Sequence, residues 1–155
     1  MKQGHPTIRG MRAPLGVVLT AGLLTMAGSA SAQEEGGPMK IKFTLDGTLV
    51  SATLEDSAAT RGLVAQLPLT LTLEDYASTE KIAGLPEKLS TEGAPEGITP
   101  KAGDVTYYAP WGNLALFQKD FRYSAGLVRL GRIEEGFEAL LKPGSADVTI
   151  ELLRN

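Results

Sequence analysis

From Met39 onward the chain alternates. Ile41, Phe43 and Leu45 take turns with Lys40, Lys42 and Thr44, a period of two that gives a strand one apolar and one wet face. Asp46-Gly47 follows, a dipeptide suited to a two-residue hairpin turn in which both central residues need positive φ. Val50, Ala52 and Leu54 then alternate again, so residues 39–54 are expected to form a β-hairpin. Asp56 or Ser57 can cap a short helix reaching about Gln66, because Ala59, Leu63 and Leu67 recur on one stripe with Val64 beside them. Leu67, Leu69, Leu71 and Leu73 alternate with Pro68, Thr70 and Thr72 and predict another strand. Pro68 has no amide hydrogen and belongs at that strand's first residue or on an edge.

Between residues 75 and 103 the pattern breaks. Gly84, Pro86, Gly93, Pro95, Gly97, Pro100 and Gly103 interrupt every run, so the segment reads as a long surface loop with Lys81-Ile82-Ala83 as a short strand inside it. Strands return over Val105–Tyr108, Leu114–Phe117 and Leu127–Ile133, with Ala109–Asn113 as the turn between the first two. A second short helix is expected over Glu134–Leu141, ended by Pro143-Gly144, before a closing strand built on Val148, Ile150 and Leu152. About seven or eight short strands joined by turns rather than helical crossovers predict a mainly β domain, an antiparallel sheet closed into a barrel whose ends two short helices can plug.

The head of the chain changes the expected compartment. Lys2, Arg9 and Arg12 precede an apolar run from Ala13 to about Gly28, and Ala30-Ser31-Ala32 has the small-x-small form of a signal-peptidase site. The run is roughly 16 residues, short of the about 20 that cross a bilayer, and it contains Pro14. Residues 1–32 are therefore read as a cleavable signal peptide, 33–38 as a flexible lead and 39–155 as the folded domain, exported to the periplasm or secreted. Cleavage would lower Lys+Arg from 15 to 12 and leave Asp+Glu at 18, moving the net charge from −3 to −6. An acidic surface argues against nucleic acid and against anionic lipid as partners.

Composition also removes chemistry. The chain has no cysteine, and its one histidine, His5, lies in the head. Disulfides and a lipoprotein anchor are excluded. A Ser-His-Asp triad is excluded from the domain, and zinc loses its usual ligands. No Walker, dinucleotide-binding or EF-hand spacing occurs, and no cofactor is implied. Glu134, Glu135 and Glu138 could hold calcium weakly, but acidic residues in a helix's first turn are better read as complementing its dipole.

Several separated segments resemble, in order, a family of small bacterial cyclophilin-like proteins. They are Met39–Leu54, Leu67–Leu71 with Asp75-Tyr76 and Glu80-Lys81, Gly103–Phe117, and Gly126–Ile133. The resemblance spans about residues 39–153. It implies a closed, mainly antiparallel cyclophilin-like barrel capped by two short helices. True cyclophilins catalyse rotation about X–Pro bonds, whose barrier is about 18–20 kcal/mol, and resemble one another in an Arg-Phe-His segment. This chain has no such segment, so no catalytic residue is carried over. Phe121-Arg122-Tyr123 sets an arginine between aromatics but is not mapped onto it.

The best candidate site is the region around Tyr107–Asn113. Alternation sends Tyr107 and Tyr108 to opposite faces, so only one lines the barrel interior. Trp111 in its Pro-x-Gly turn can sit at a pocket mouth, and Asn113 offers both a donor and an acceptor. Arg122 and Tyr123 could add a charged or stacking contact. Tyr108, Trp111, Asn113, Arg122 and Tyr123 are therefore the expected ligand contacts, with the competing reading that Trp111 only plugs a barrel end. Arg132 could reach Glu135 or make a surface ion pair, and Glu80-Lys81 could form a polar pair at a pocket rim, although a solvated charge pair is the commoner case. The function expected is non-covalent binding of a peptide or small molecule. A divergent prolyl isomerase and a protein-interaction subunit are the alternatives, and oligomeric state is left open. A polar cavity inside the barrel would favour binding there, whereas an interior filled by leucines would leave only the surface.

Overall fold

The computed structural model describes residues 38–154. The expected signal peptide and nearly all of the flexible lead lie outside the described residues. Ten strands form: β1 Lys40–Leu45, β2 Thr48–Leu54, β3 Leu69–Tyr76, β4 Glu80–Gly84, β5 Gly97–Ile98, β6 Asp104–Tyr108, β7 Asn113–Phe117, β8 Ser124–Ala125, β9 Leu127–Glu135 and β10 Ala146–Leu153. Eight of them close a barrel in the order β1-β10-β3-β4-β7-β6-β9-β2, and every pairing is antiparallel. Closure leaves the barrel with no free edge. β5 and β8 form a separate two-stranded arm.

Local chemistry sets the connections. Asp46 (φ 43°) and Gly47 (φ 82°) both adopt left-handed backbone in the β1–β2 turn. Helix α1, Ala58–Gln66, is capped by the Ser57 hydroxyl, which accepts the Thr60 amide at 3.1 Å. Pro68 immediately precedes β3, where its missing N–H disrupts no ladder. The second expected helix forms only as a 3-10 helix over Phe137–Leu141. Glu134 and Glu135 are still in β9, so they are strand residues and not a helix's first turn; Glu134 pairs instead with Lys40 at 2.8 Å. Among the described residues no three of His, Cys, Asp and Glu converge as a metal site, and no helix is long and apolar enough to cross a membrane.

One face of each strand fills the interior. Ile41, Phe43, Val50, Leu73, Val105, Tyr107, Leu114, Leu116, Leu130 and Ile150 are buried together, with Ala59 and Leu63 of α1 and Leu140 of the 3-10 helix packed on the same core. Each such fully buried aliphatic side chain contributes about 1.5–3 kcal/mol of transfer free energy. The barrel is thus solid, and the sequence's interior-cavity option is set aside. Its one buried ammonium is Lys81, 1% exposed, which donates to Asp75 Oδ1 at 2.6 Å and to the Gly144 carbonyl at 2.8 Å. Asp75 Oδ2 in turn accepts the Gly144 amide at 2.6 Å. A buried charge is tolerable when paired and hydrogen-bonded in this way.

Candidate functional site: an aromatic groove on the outer face of the barrel

The strand residues that point away from the core build the site. On β7, Leu114 and Leu116 face inward, so Ala115 and Phe117 face outward. Outward-facing Ile82, Tyr108 and Leu127 join them in a second, smaller apolar cluster that also takes in Ile98 of the arm. Sheet and arm enclose a cavity of about 570 Å³, within the range typical of small-ligand pockets. Tyr76, Ala77, Thr79 and Glu80 of the β3–β4 hairpin line it, as do Ile82, Asn113, Phe117 and Leu127 of the sheet. Tyr108 and Trp111 also line it, with Phe121, Arg122, Tyr123, Ser124 and Ala125 from the segment leading into β8.

All five residues expected from sequence, Tyr108, Trp111, Asn113, Arg122 and Tyr123, lie along this one groove. The sequence left open which of the two tyrosines turns inward. Tyr107 points into the barrel, where its hydroxyl accepts the Leu89 amide at 3.2 Å, and Tyr108 faces the outer groove. Trp111 is no barrel plug: it is 56% exposed and stands edge-on to Tyr108 (centroids 5.3 Å apart) and to Tyr76 (5.6 Å). Such perpendicular pairs add about 0.5–1.5 kcal/mol beyond burial. The Arg122 guanidinium lies 5.1 Å from the Phe121 ring centroid.

Sequence reasoning placed Glu80 at a pocket rim but missed Tyr76, Phe117 and Phe121 as groove residues. Glu80 and Lys81 do not form a rim pair. They are adjacent on β4, so Glu80 faces the groove and Lys81 the core. Cross-strand pairing sets Glu80 between Tyr76 of β3 and Phe117 of β7. Burial pushes the Glu80 carboxyl above its ordinary value, because desolvation disfavours the charged form. Arg132 likewise finds Asp104 at 3.6 Å instead of Glu135, and Asp104 also binds Arg129 at 3.2 Å.

The groove's walls are pinned from outside. Asp120 accepts the Ala102 amide at 2.9 Å, and the Phe121 amide donates to the Pro100 carbonyl at 3.1 Å. The Ala102 amide, with Lys101 and Arg132 nearby, holds the Asp120 carboxyl below its ordinary value. Gly126 (φ 80°) joins the arm to β9, and a Cβ there would meet Pro110 Cδ at 2.8 Å. The Ala109 amide donates to the Gly126 carbonyl at 2.9 Å, which ties the Trp111 turn to the arm.

A closed eight-stranded antiparallel barrel with a filled core and an outer-face groove defines the class of protein. The chain belongs to the cyclophilin-like family, whose model matches residues 43–151. None of the curated proteins matches it. The fold is similar to the solution structure of a hypothetical protein from Archaeoglobus fulgidus, 18% identical with a TM-score of 0.54, over 77% of this chain and 98% of that one. At that identity the likeness shows the fold alone.

Proposed function

We propose that the protein works by holding a peptide or small molecule non-covalently in the outer groove, in the periplasm or outside the cell. One observation carries this reading. Six of the chain's nine aromatic residues, Tyr76, Tyr108, Trp111, Phe117, Phe121 and Tyr123, line the groove. Four of them, Tyr76, Trp111, Phe121 and Tyr123, are also among its exposed large apolar side chains. Concentrated exposed apolar surface in a concave site is the usual mark of a binding surface. Tyr108, Trp111 and Tyr123 supply ring contacts, Asn113 a donor and an acceptor, and Arg122 a charge. Nothing in the groove calls for a covalent step. Export rests on the basic, apolar and small-residue order of the head, and N-terminal sequencing of the secreted protein should begin at Gln33.

Trp111 is the only tryptophan, so its fluorescence reports directly on the groove. Titration with a panel of short blocked peptides, some containing proline, should give a saturable spectral change that Tyr108→Ala weakens about tenfold, equivalent to about 1.4 kcal/mol. An unchanged spectrum across the panel at millimolar concentration contradicts the proposal.

A second reading, prolyl isomerisation, draws on the placement of Arg122 among groove aromatics. Isomerisation needs no nucleophile, so the chain's composition permits it. Catalysis of a proline-peptide isomerisation that is lost in Arg122→Ala would replace binding alone with this activity.

A further inference from the structure

Glu80 stands out among the carboxylates that are at least partly buried. Asp104 is fully buried and has Arg129 and Arg132. Glu151 has Lys42 at 2.9 Å. Glu80 makes no ion pair with any described residue, although Tyr76 and Phe117 flank it across the strands and withdraw it from water. A carboxylate half-withdrawn from water without a counter-charge gains from a cation brought against it. Exposed Tyr76 and Trp111 line the same groove, and the electron-rich faces of aromatics attract cations. Apolar Ile82 lies two residues along the same strand face, which suits a flexible hydrocarbon stem that carries a charge at its tip. The groove's own cation, Arg122, is stacked on Phe121 and does not reach the carboxylate.

We propose that the groove is a receptor for a lysine side chain presented by a peptide, with the ammonium against Glu80 and the stem along Ile82. The proposal rests on the groove being a binding site and specifies what that site selects. A peptide is the occupant because the cavity is larger than one lysine side chain needs, and exposed Trp111 and Tyr123 on its lining offer surface for flanking residues. The acidic charge of the chain, −3 overall, favours the approach of a basic segment.

The test is a Trp111 fluorescence titration of the protein and of Glu80→Gln with three blocked pentapeptides that are identical except for a central lysine, norleucine or glutamate. The lysyl peptide should bind about tenfold more tightly than the norleucyl one and better still than the glutamyl one, and Glu80→Gln should erase the lysyl advantage. Norleucyl or glutamyl binding as tight as lysyl overturns the proposal while leaving the groove a binding site. A lysyl advantage that survives Glu80→Gln also overturns it, since the charge read would then lie elsewhere. No response to any of the three overturns the proposal together with the peptide form of the reading beneath it. The ratio in the unsubstituted protein stands even if the variant folds poorly.

Discussion

At the tip of the β3–β4 hairpin, Ala77 (φ 50°) and Ser78 (φ 54°) hold left-handed backbone without being glycine. Each pays a steric cost of about 1–2 kcal/mol that glycine avoids. Ser78→Gly should therefore stabilise the domain by about 0.5–1 kcal/mol after the unfolded chain's added entropy is counted, read as a higher midpoint in urea. Strain of this kind collects at functional sites, and this tip borders the groove through Ala77 and Thr79. The Asp75–Lys81 pair lies on the opposite face of the same hairpin. Lys81→Met keeps the side-chain volume and should stay within about 1–2 kcal/mol of the parent. Asp75→Asn leaves the buried ammonium without its counter-charge and should lower the midpoint more than Lys81→Met does. Lys81 and the Gly144 amide hold the Asp75 carboxyl below its ordinary value. Its contribution is then fully present above the unfolded carboxylate's pKa of about 3.9 and is lost as pH falls through the lower folded value. Thermal melts of the parent and Asp75→Asn should therefore converge in acid. A gap that stays constant down to pH 2 would show that the pair is not responsible.

At the scale of elements, the arm decides whether the groove has a wall. Gly97 of β5 lies so close to β8 that a Cβ would fall 2.3 Å from the Ser124 carbonyl oxygen, far inside any real contact. Gly97→Ala should lift β5 from β8 and weaken groove binding at least tenfold. The closed barrel, whose ladders do not involve the arm, should keep a melting temperature close to the parent's. Hydrogen exchange should speed up at residues 96–98 and 124–126 but not in β1, β2 or β10. The arm was also the least legible element in the sequence, because two-residue strands carry no period. β4 was only partly legible: glycines and prolines shape its surroundings, and the first of its two core-facing positions, Lys81 and Ala83, is a lysine, which alternation reads as a wet side. β9 conceals its register for a different reason. Bulges opposite Val105/Thr106 and Ser51/Ala52 shift its parity, so Val128 and Leu130 face inward and Ile133 then packs on the same core. The strands with strict alternation in sequence, β1, β2, β3 and β10, were legible because apolar and polar residues take turns along them, whereas β6 and β7 are dry on both faces and read as short apolar runs. In the groove, Tyr108 through Asn113 could be read because they are close in sequence. Tyr76 and Phe117 could not, because only cross-strand register brings them beside Glu80.

At the scale of the whole molecule, the described inward-facing residues of the barrel are packed together as one apolar core, which leaves the outer face for a ligand. The exposed large apolar residues divide between the groove, with Tyr76, Trp111, Phe121 and Tyr123, and scattered positions at Leu49, Leu141 and Leu152. Only the first group shares a cavity with a half-buried acid and an amide. The central claim is that this outer face is where the protein meets its ligand. Its most direct test is an amide and indole chemical-shift titration of isotopically labelled protein with the blocked lysyl pentapeptide. The account predicts shifts confined to residues 76–82, 108–117 and 121–127, with the Trp111 indole among the largest. Shifts centred on Leu49, Leu141 and Leu152, or on the inward-facing residues of β1 and β10, would contradict it.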